Sequence, residues 1–207
     1  MSFEFFLAFL LASVLISVSP GAGAVNTMSN GLRYGVRKSM PAILGLQLGY
    51  GAQVVIVGVG LGALLASSEV AFGLVKWLGA AYLVWLGYQK WRQEPLSLEA
   101  QQQQDVESGR RRFWQAAFVN LVNPKATVFL VALFPQFIVA DAPQLPQFLI
   151  MGITLIIVDI LVMVGYASLA AKLSGWFKDP KHQKSQNRVF GGMFMAAGTA
   201  LASYSRG

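Results

Sequence analysis

The chain has 207 residues, 55% of them hydrophobic and 12% charged, with a net charge of +7 and no cysteine. A soluble domain of this length carries about 25% charged residues, so the deficit points to a membrane protein. The lack of cysteine excludes a disulfide framework, a thiolate metal site and thiol redox chemistry, and cations confined to connections between apolar runs fit membrane topology rather than nucleic-acid binding.

Six apolar segments follow one another, at roughly 3–28, 40–66, 70–91, 113–138, 146–171 and 188–205. Each is close to the roughly 20 residues that cross a bilayer. They predict an all-α, polytopic membrane protein with six transmembrane helices in a single domain over residues 1–207. In the first segment Ala22-Gly23-Ala24 imitates a signal-peptidase site, but Glu4 is the only early charge and no Lys or Arg precedes Arg33. A signal peptide opens on a basic region, so this segment is expected to be a retained helix. Late in it stands Ser17-Val18-Ser19-Pro20-Gly21. Proline lacks a backbone donor and clashes with the preceding turn, which predicts a broken helix.

The second segment carries Gly45, Gly49, Gly58, Gly60 and Gly62, and the sixth Gly191, Gly192 and Gly198. Small residues at such spacings let helix backbones approach closely, and they leave a homodimer open. Trp77, Trp85, Trp91, Trp114 and Trp176 lie near segment ends, as interfacial anchors do. Residues 92–112, with four consecutive glutamines from Gln101 to Gln104, have no apolar periodicity and read as a flexible cytoplasmic linker. The fourth segment repeats the break: Asn120, Asn123, Pro124 and Lys125 interrupt a run otherwise apolar enough for lipid. In the fifth, Gly152, Asp159 and Tyr166 recur every seven residues on one helical face, expected to look inward.

Basic residues cluster between segments one and two (Arg33, Arg37, Lys38), around the linker (Lys90, Arg92, Arg110, Arg111, Arg112), and between segments five and six (Lys172 to Arg188). The positive-inside rule places these connections in the cytoplasm and both termini outside. Residues 3–91 and 113–205 then hold three spans each, so the second half inserts upside down relative to the first. Each half opens with a proline-broken helix, which predicts two inverted three-helix repeats with broken helices one and four and a site between them.

Lys125 and Asp159 are the two ionisable side chains well inside apolar segments. A charge near the bilayer centre costs about 2.5–3.5 kcal/mol on insertion scales, so such residues mark function or a fixed ion pair. Ser19 and Asn123 stand where helix N-caps belong, with Pro20 and Pro124 at the first helical position. A half-helix beginning at each break aims free N–H groups and a positive dipole end at the site, as a carboxylate ligand requires. Gln47, Gln53, Asn26 and Asn120 either read an amino or hydroxyl group or serve as interhelical hydrogen bonds. No phosphate-binding G-x-x-x-x-G-K-[ST] loop occurs, His182 stands alone in a basic loop, and no Ser/His/Asp set is evident. A cofactor-free, metal-free transporter is expected, not an enzyme.

The run SPGAGAVNTMSNGLRYG from Ser19, the run GVGLGALLASSEVAFGLVKWLGAAYLVWLGYQKWR and the segment FVNLVNPKATVFLVALFPQF resemble the LysE/RhtB family of amino-acid exporters, over essentially the whole chain. The RhtB branch, with its homoserine, threonine and homoserine lactone efflux proteins, is the nearest in pattern. One departure is Ala22-Gly23, where many members carry a second proline after the glycine. The resemblance implies a multi-pass carrier of the bacterial inner membrane that expels small neutral amino acids against protons. It implies that the Ser19-Pro20-Gly21 break, the Asn123-Pro124-Lys125 break and Asp159 are functional; the two breaks, with Asn26, Gln47 and Asn120 from the reading of the polar side chains, are the expected substrate-binding residues. Asp159 is then either the proton-coupling carboxylate or, with Lys125, one side of a gating pair. Export rather than import is implied by the resemblance alone.

Overall fold

The computed structural model describes residues 3–67, 69–94, 107–139, 142–172 and 179–203. Most of the expected linker, residues 95–106, lies outside them. The described residues form helices α1 (Phe3–Val18), α2 (Ala22–Ser67), α3 (Glu69–Arg92), α4 (Gly109–Leu121), α5 (Pro124–Phe137), α6 (Gln144–Lys172) and α7 (Pro180–Ser203), with no strand among them.

Helix α2 is two arms, because Gly35 adopts φ 72° and ψ 173°, outside the helical region and open to glycine at little cost. A β-carbon on Gly23 would lie 3.6 Å from the Leu46 side chain, yet 23 residues of straight helix would separate the two by roughly 34 Å. The arms therefore fold back on each other, and Ala24 and Met28 of one share a core with Ala42, Ile43 and Leu46 of the other. Where the sequence reads as a connection from 29 to 39, helix runs up to Gly35 from both sides, and the Ser39 hydroxyl donates to the Gly35 carbonyl at 2.8 Å.

Two other helices begin earlier than hydropathy suggests. Ser108 caps α4 by accepting from the Arg111 N–H at 3.3 Å. Asp179 accepts from the Lys181 N–H at 2.8 Å, and Pro180 opens α7 as the first helical residue. Both starts are polar turns that an apolar pattern does not see.

Glycines set the closest approaches. A β-carbon on Gly45 would meet the Phe113 carbonyl oxygen at 2.0 Å and one on Gly49 the Ala117 oxygen at 2.2 Å, so the second arm of α2 packs backbone to backbone on α4. A β-carbon on Gly31, on the first arm, would meet the Ala167 carbonyl oxygen of α6 at 2.6 Å, and Gly87 of α3 and Gly191 of α7 each face the other's carbonyl at 2.6 Å. Gly45, Gly49 and Gly191 thus serve packing within the chain, whereas Gly60 has open space beside it.

Helix α6 buries its polar side chains among apolar ones such as Met151 and Leu155 and turns an apolar stripe outward. Gln147, Asp159 and Tyr166 are buried together with Gly152, as the seven-residue spacing predicts, while Ile150, Ile153, Ile157 and Leu161 are 46% to 67% exposed. A soluble helix turns polar residues outward, so this exposed apolar stripe suits lipid contact. With 29 residues, α6 is longer than a hydrocarbon core of roughly 30 Å requires. Helices α4 and α5 meet at 47° across residues 122–123, the second of the two expected breaks.

Candidate functional site

The second break is built as its sequence predicts. Asn123 caps α5: its side chain accepts from the Lys125 N–H at 3.1 Å, its carbonyl accepts from the Thr127 N–H at 3.1 Å, and Pro124 is the first helical residue. With the Lys125 N–H diverted to that cap, the Leu121 carbonyl has lost its helical donor. Gln53 of α2 replaces it, its amide nitrogen 2.9 Å from the Leu121 oxygen and 2.7 Å from Thr127 Oγ1. Asn123 also donates to Asn120 Oδ1 at 3.1 Å, and Asn120 to the Leu46 carbonyl at 2.9 Å. Asn120 and Gln53 therefore act as interhelical hydrogen bonds.

The first break departs from the expectation of a cap at Ser19. The Ser19 N–H still bonds to the Leu15 carbonyl at 3.0 Å, so α1 keeps its helical bonding to that point. The Val25 N–H bonds to Gly21, which makes Gly21 the cap and Ala22 the first helical residue. Pro20 disfavours helical geometry at Ser19, which ends α1 there, and the chain restarts its helix two residues later, with Gly21 as cap. The Ser19 hydroxyl is buried without a hydrogen-bond partner.

Pro20 has no N–H, so the Ile16 carbonyl four residues earlier loses its helical donor. Lys125 Nζ supplies it from the other break, donating to Ile16 O at 3.0 Å and to Ser19 O at 2.7 Å. These carbonyls end α1, where partial negative charge favours a cation. Tyr166 of α6 donates to the neighbouring Val18 carbonyl. Each break is thus completed by a side chain from a distant part of the chain.

Asp159 occupies the facing wall, where its Oδ2 accepts from Gln47 Nε2 at 2.8 Å. Between lies a cavity of about 30 Å³ lined by Ser17, Ser19, Tyr50, Asn123, Lys125 and Asp159 among others. That volume is about one water's share of the liquid, so the walls must part to admit anything larger. Lys125 and Asp159 share this cavity without forming an ion pair; both are held by neutral groups. An open cleft of about 530 Å³, lined by Pro20, Gly21, Ala22, Tyr88, Lys90 and Arg92, reaches Lys125 from the side where α3 ends.

Of the residues singled out in the sequence, Ser19, Asn120, Asn123, Lys125 and Asp159 line the cavity, and Gln47 joins through Asp159. Pro20 and Gly21 line the cleft. Pro124 is exposed and outside both, and Asn26 belongs to a separate pocket one turn farther along α2. Ser17, Tyr50 and Met163 line the cavity without having been chosen as site residues. Tyr50 follows Gln47 by three residues and Met163 follows Asp159 by four, so helical spacing carried the signal. Among the described residues no three His, Asp or Glu side chains come together to hold a metal.

Comparison with known proteins adds the family. No solved structure matches the chain. A homoserine/homoserine lactone efflux protein of Salmonella typhi is 50% identical over 203 residues, 98% of both chains. An uncharacterized membrane protein of Vibrio cholerae is 48% identical over 204 residues, again 98% of both. A leucine efflux protein of an Enterobacter strain is 27% identical over 96% of this chain and 95% of its own. Residues 14–205 match the LysE type translocator family, and the chain belongs to it.

Proposed function

We propose that the chain exports small neutral amino acids, homoserine and threonine together with homoserine lactone, across the bacterial inner membrane in exchange for protons. The observation that carries this reading is Lys125. A half-buried ammonium at a helix break is held there, among the described residues, by backbone carbonyls, beside the N-terminus of α2 and across a cavity from Asp159. A zwitterion fits that polarity: its carboxylate meets Lys125 and the free N–H groups at Ala22, Gly23 and Ala24, and its ammonium meets Asp159. The name of relatives at 50% identity supports homoserine and its lactone; threonine comes from the family resemblance.

Proton exchange follows from the cost of an unpaired charge at membrane depth. Asp159 is neutralised either by the substrate's ammonium or by a proton. A carrier that reorients readily only when Asp159 is neutralised exchanges one for the other. Lys125 and Asp159 sharing a cavity unpaired also favours a second reading, in which they pair and part as a gate. Neutralising both at once, Lys125→Met with Asp159→Asn, restores flux if they are a gate and leaves it lost if each binds a substrate group.

Six spans in two inverted repeats complete the proposal. The interval from Pro20 to Pro124 equals that from Gly87 to Gly191, the two glycines that face each other across α3 and α7. The broken helix of each half packs on the second helix of the other: the first arm of α2 on α6 through Gly31, and α4 on the second arm of α2 through Gly45 and Gly49. Such an exchange is what a two-fold relation in the membrane plane requires.

The test is efflux of labelled homoserine and threonine from preloaded proteoliposomes. Movement of either above protein-free vesicles supports the proposal. Folded protein that moves neither contradicts the substrate class.

A further inference from the structure

A second polar pocket, of about 290 Å³, lies along α2 beyond the cavity, lined by Asn26, Ser29, Asn30, Arg33, Tyr34, Glu107 and Gln115. It shares no residue with the cavity, although both run along one arm of α2: Gly23 and Ala24 face the first, and Asn26, Asn30 and Arg33 the second. The mechanism proposed above uses none of these side chains.

The pocket carries both charges of a zwitterion. The Arg33 guanidinium lies 5.1 Å from the Tyr34 ring centre and has no carboxylate partner among the described residues. Arg112, buried, stacks 4.2 Å from the same ring and donates to the Lys38 carbonyl, so Tyr34 is held from both sides. The Tyr34 hydroxyl accepts from the Glu107 N–H at 3.3 Å, which fixes the start of the opposite wall. Glu107 Oε1 accepts from Arg111 at 3.3 Å and from Gln115 at 3.2 Å, while Oε2 has no hydrogen-bond or ion-pair partner among the described residues. Asn30 donates to the Asn26 carbonyl at 2.9 Å, but its own Oδ1 is buried without a hydrogen bond. Asn30 is nine-tenths buried, and a buried acceptor left open is unfavourable, which a bound donor relieves.

We propose that this pocket is a second binding site for a small zwitterionic amino acid, Arg33 taking the carboxylate and Glu107 Oε2 with Asn30 Oδ1 the ammonium. The zwitterion is read from the pocket's own groups; that it is the transported solute rests on the function proposed above. Its place on the arginine-bearing end of the arm that also walls the cavity makes it a loading site, with Asn30 and Arg33 about two to three helical turns from Gly23.

The test is equilibrium binding of labelled L-homoserine to purified full-length protein in nanodiscs. Two sites per chain are expected in wild type. One remains in Lys125→Met, which keeps the pocket. One remains in Arg33→Gln with Glu107→Gln, provided the variant elutes and unfolds as wild type does. In Arg33→Gln alone the molecule of this pocket is lost or bound at least about tenfold more weakly, since a charge-assisted contact is gone. Unchanged stoichiometry and affinity in the Arg33 and Glu107 variants overturns the inference. So does complete loss of binding in folded Lys125→Met. If wild type and Lys125→Met both bind a single molecule and the Arg33 and Glu107 variant binds none, the pocket stands and the cavity assignment fails instead.

Discussion

A β-carbon on Gly21 would stand 3.1 Å from both Cε and Nζ of Lys125, so the ammonium of the second break rests against bare backbone at the first. Gly21 is also the cap of α2, and the carbonyls of Ile16 and Ser19 that hold Lys125 lie within five residues of it. Helix end, helix start and charge meet at one point, and one missing methyl group makes room for them.

Gly21→Ala is expected to fold, because the neighbour that must shift is the end of a flexible side chain. Displacing Nζ weakens charge-assisted hydrogen bonds worth roughly 1.5–3 kcal/mol, so the KM for homoserine efflux should rise several-fold. Gly21→Val, with two further carbons, should lose efflux while still inserting. Equal KM in Gly21→Ala, Gly21→Val and wild type would show that Lys125 does not need its observed place.

Gln53→Leu strands the Leu121 carbonyl at the second break, and Asn123→Ala removes both the cap and the donor to Asn120. A lost cap costs about 1 kcal/mol and a stranded buried acceptor about 1–3 kcal/mol. Both variants should melt below wild type in detergent, measured by fluorescence-detected unfolding. Gln53→Leu should do so although Gln53 does not line the cavity.

Gly87→Ala forces a carbon to within 2.6 Å of the Gly191 carbonyl, a backbone group that cannot turn aside. Separation of α3 from α7 and a clear loss of thermal stability are expected. Gly165→Ala, on α6 with open space beside it, should be neutral or slightly stabilising. A reversed order would contradict the backbone contact between α3 and α7.

What could be read from the sequence followed the sparsest residues. Two charges within apolar runs named Lys125 and Asp159, and Asn-Pro read correctly as cap and first helical residue because both roles are local. Ser-Pro did not, because a cap is defined by where the next helix restarts, and here Gly21 takes that place. Gly35 was hidden among 21 glycines inside a basic, polar stretch that resembles a loop. The early starts of α4 and α7 were hidden because polar first turns have no apolar period. Hardest to see was the exchange of partners, Lys125 completing the first break and Gln53 the second. Neither pairing leaves a mark within its own segment.

Lys125→Met should separate two substrates that share an amine. Homoserine offers Lys125 a carboxylate, whereas its lactone offers a neutral ester. Homoserine efflux should fall by at least about tenfold, the loss of one charge-assisted contact, with lactone efflux much less affected. Equal losses for both would place the role of Lys125 in holding the first break rather than in meeting substrate.

Alternation of Asp159 between substrate and proton is tested most directly by gradient-driven efflux. Proteoliposomes preloaded with labelled homoserine are followed with and without an opposing proton gradient, wild type beside Asp159→Asn. Stimulation by the gradient is expected in wild type, and its loss in Asp159→Asn, which retains some homoserine exchange at higher KM. Equal stimulation in Asp159→Asn would contradict the claim and leave that carboxylate to Gln47 and the packing of α6.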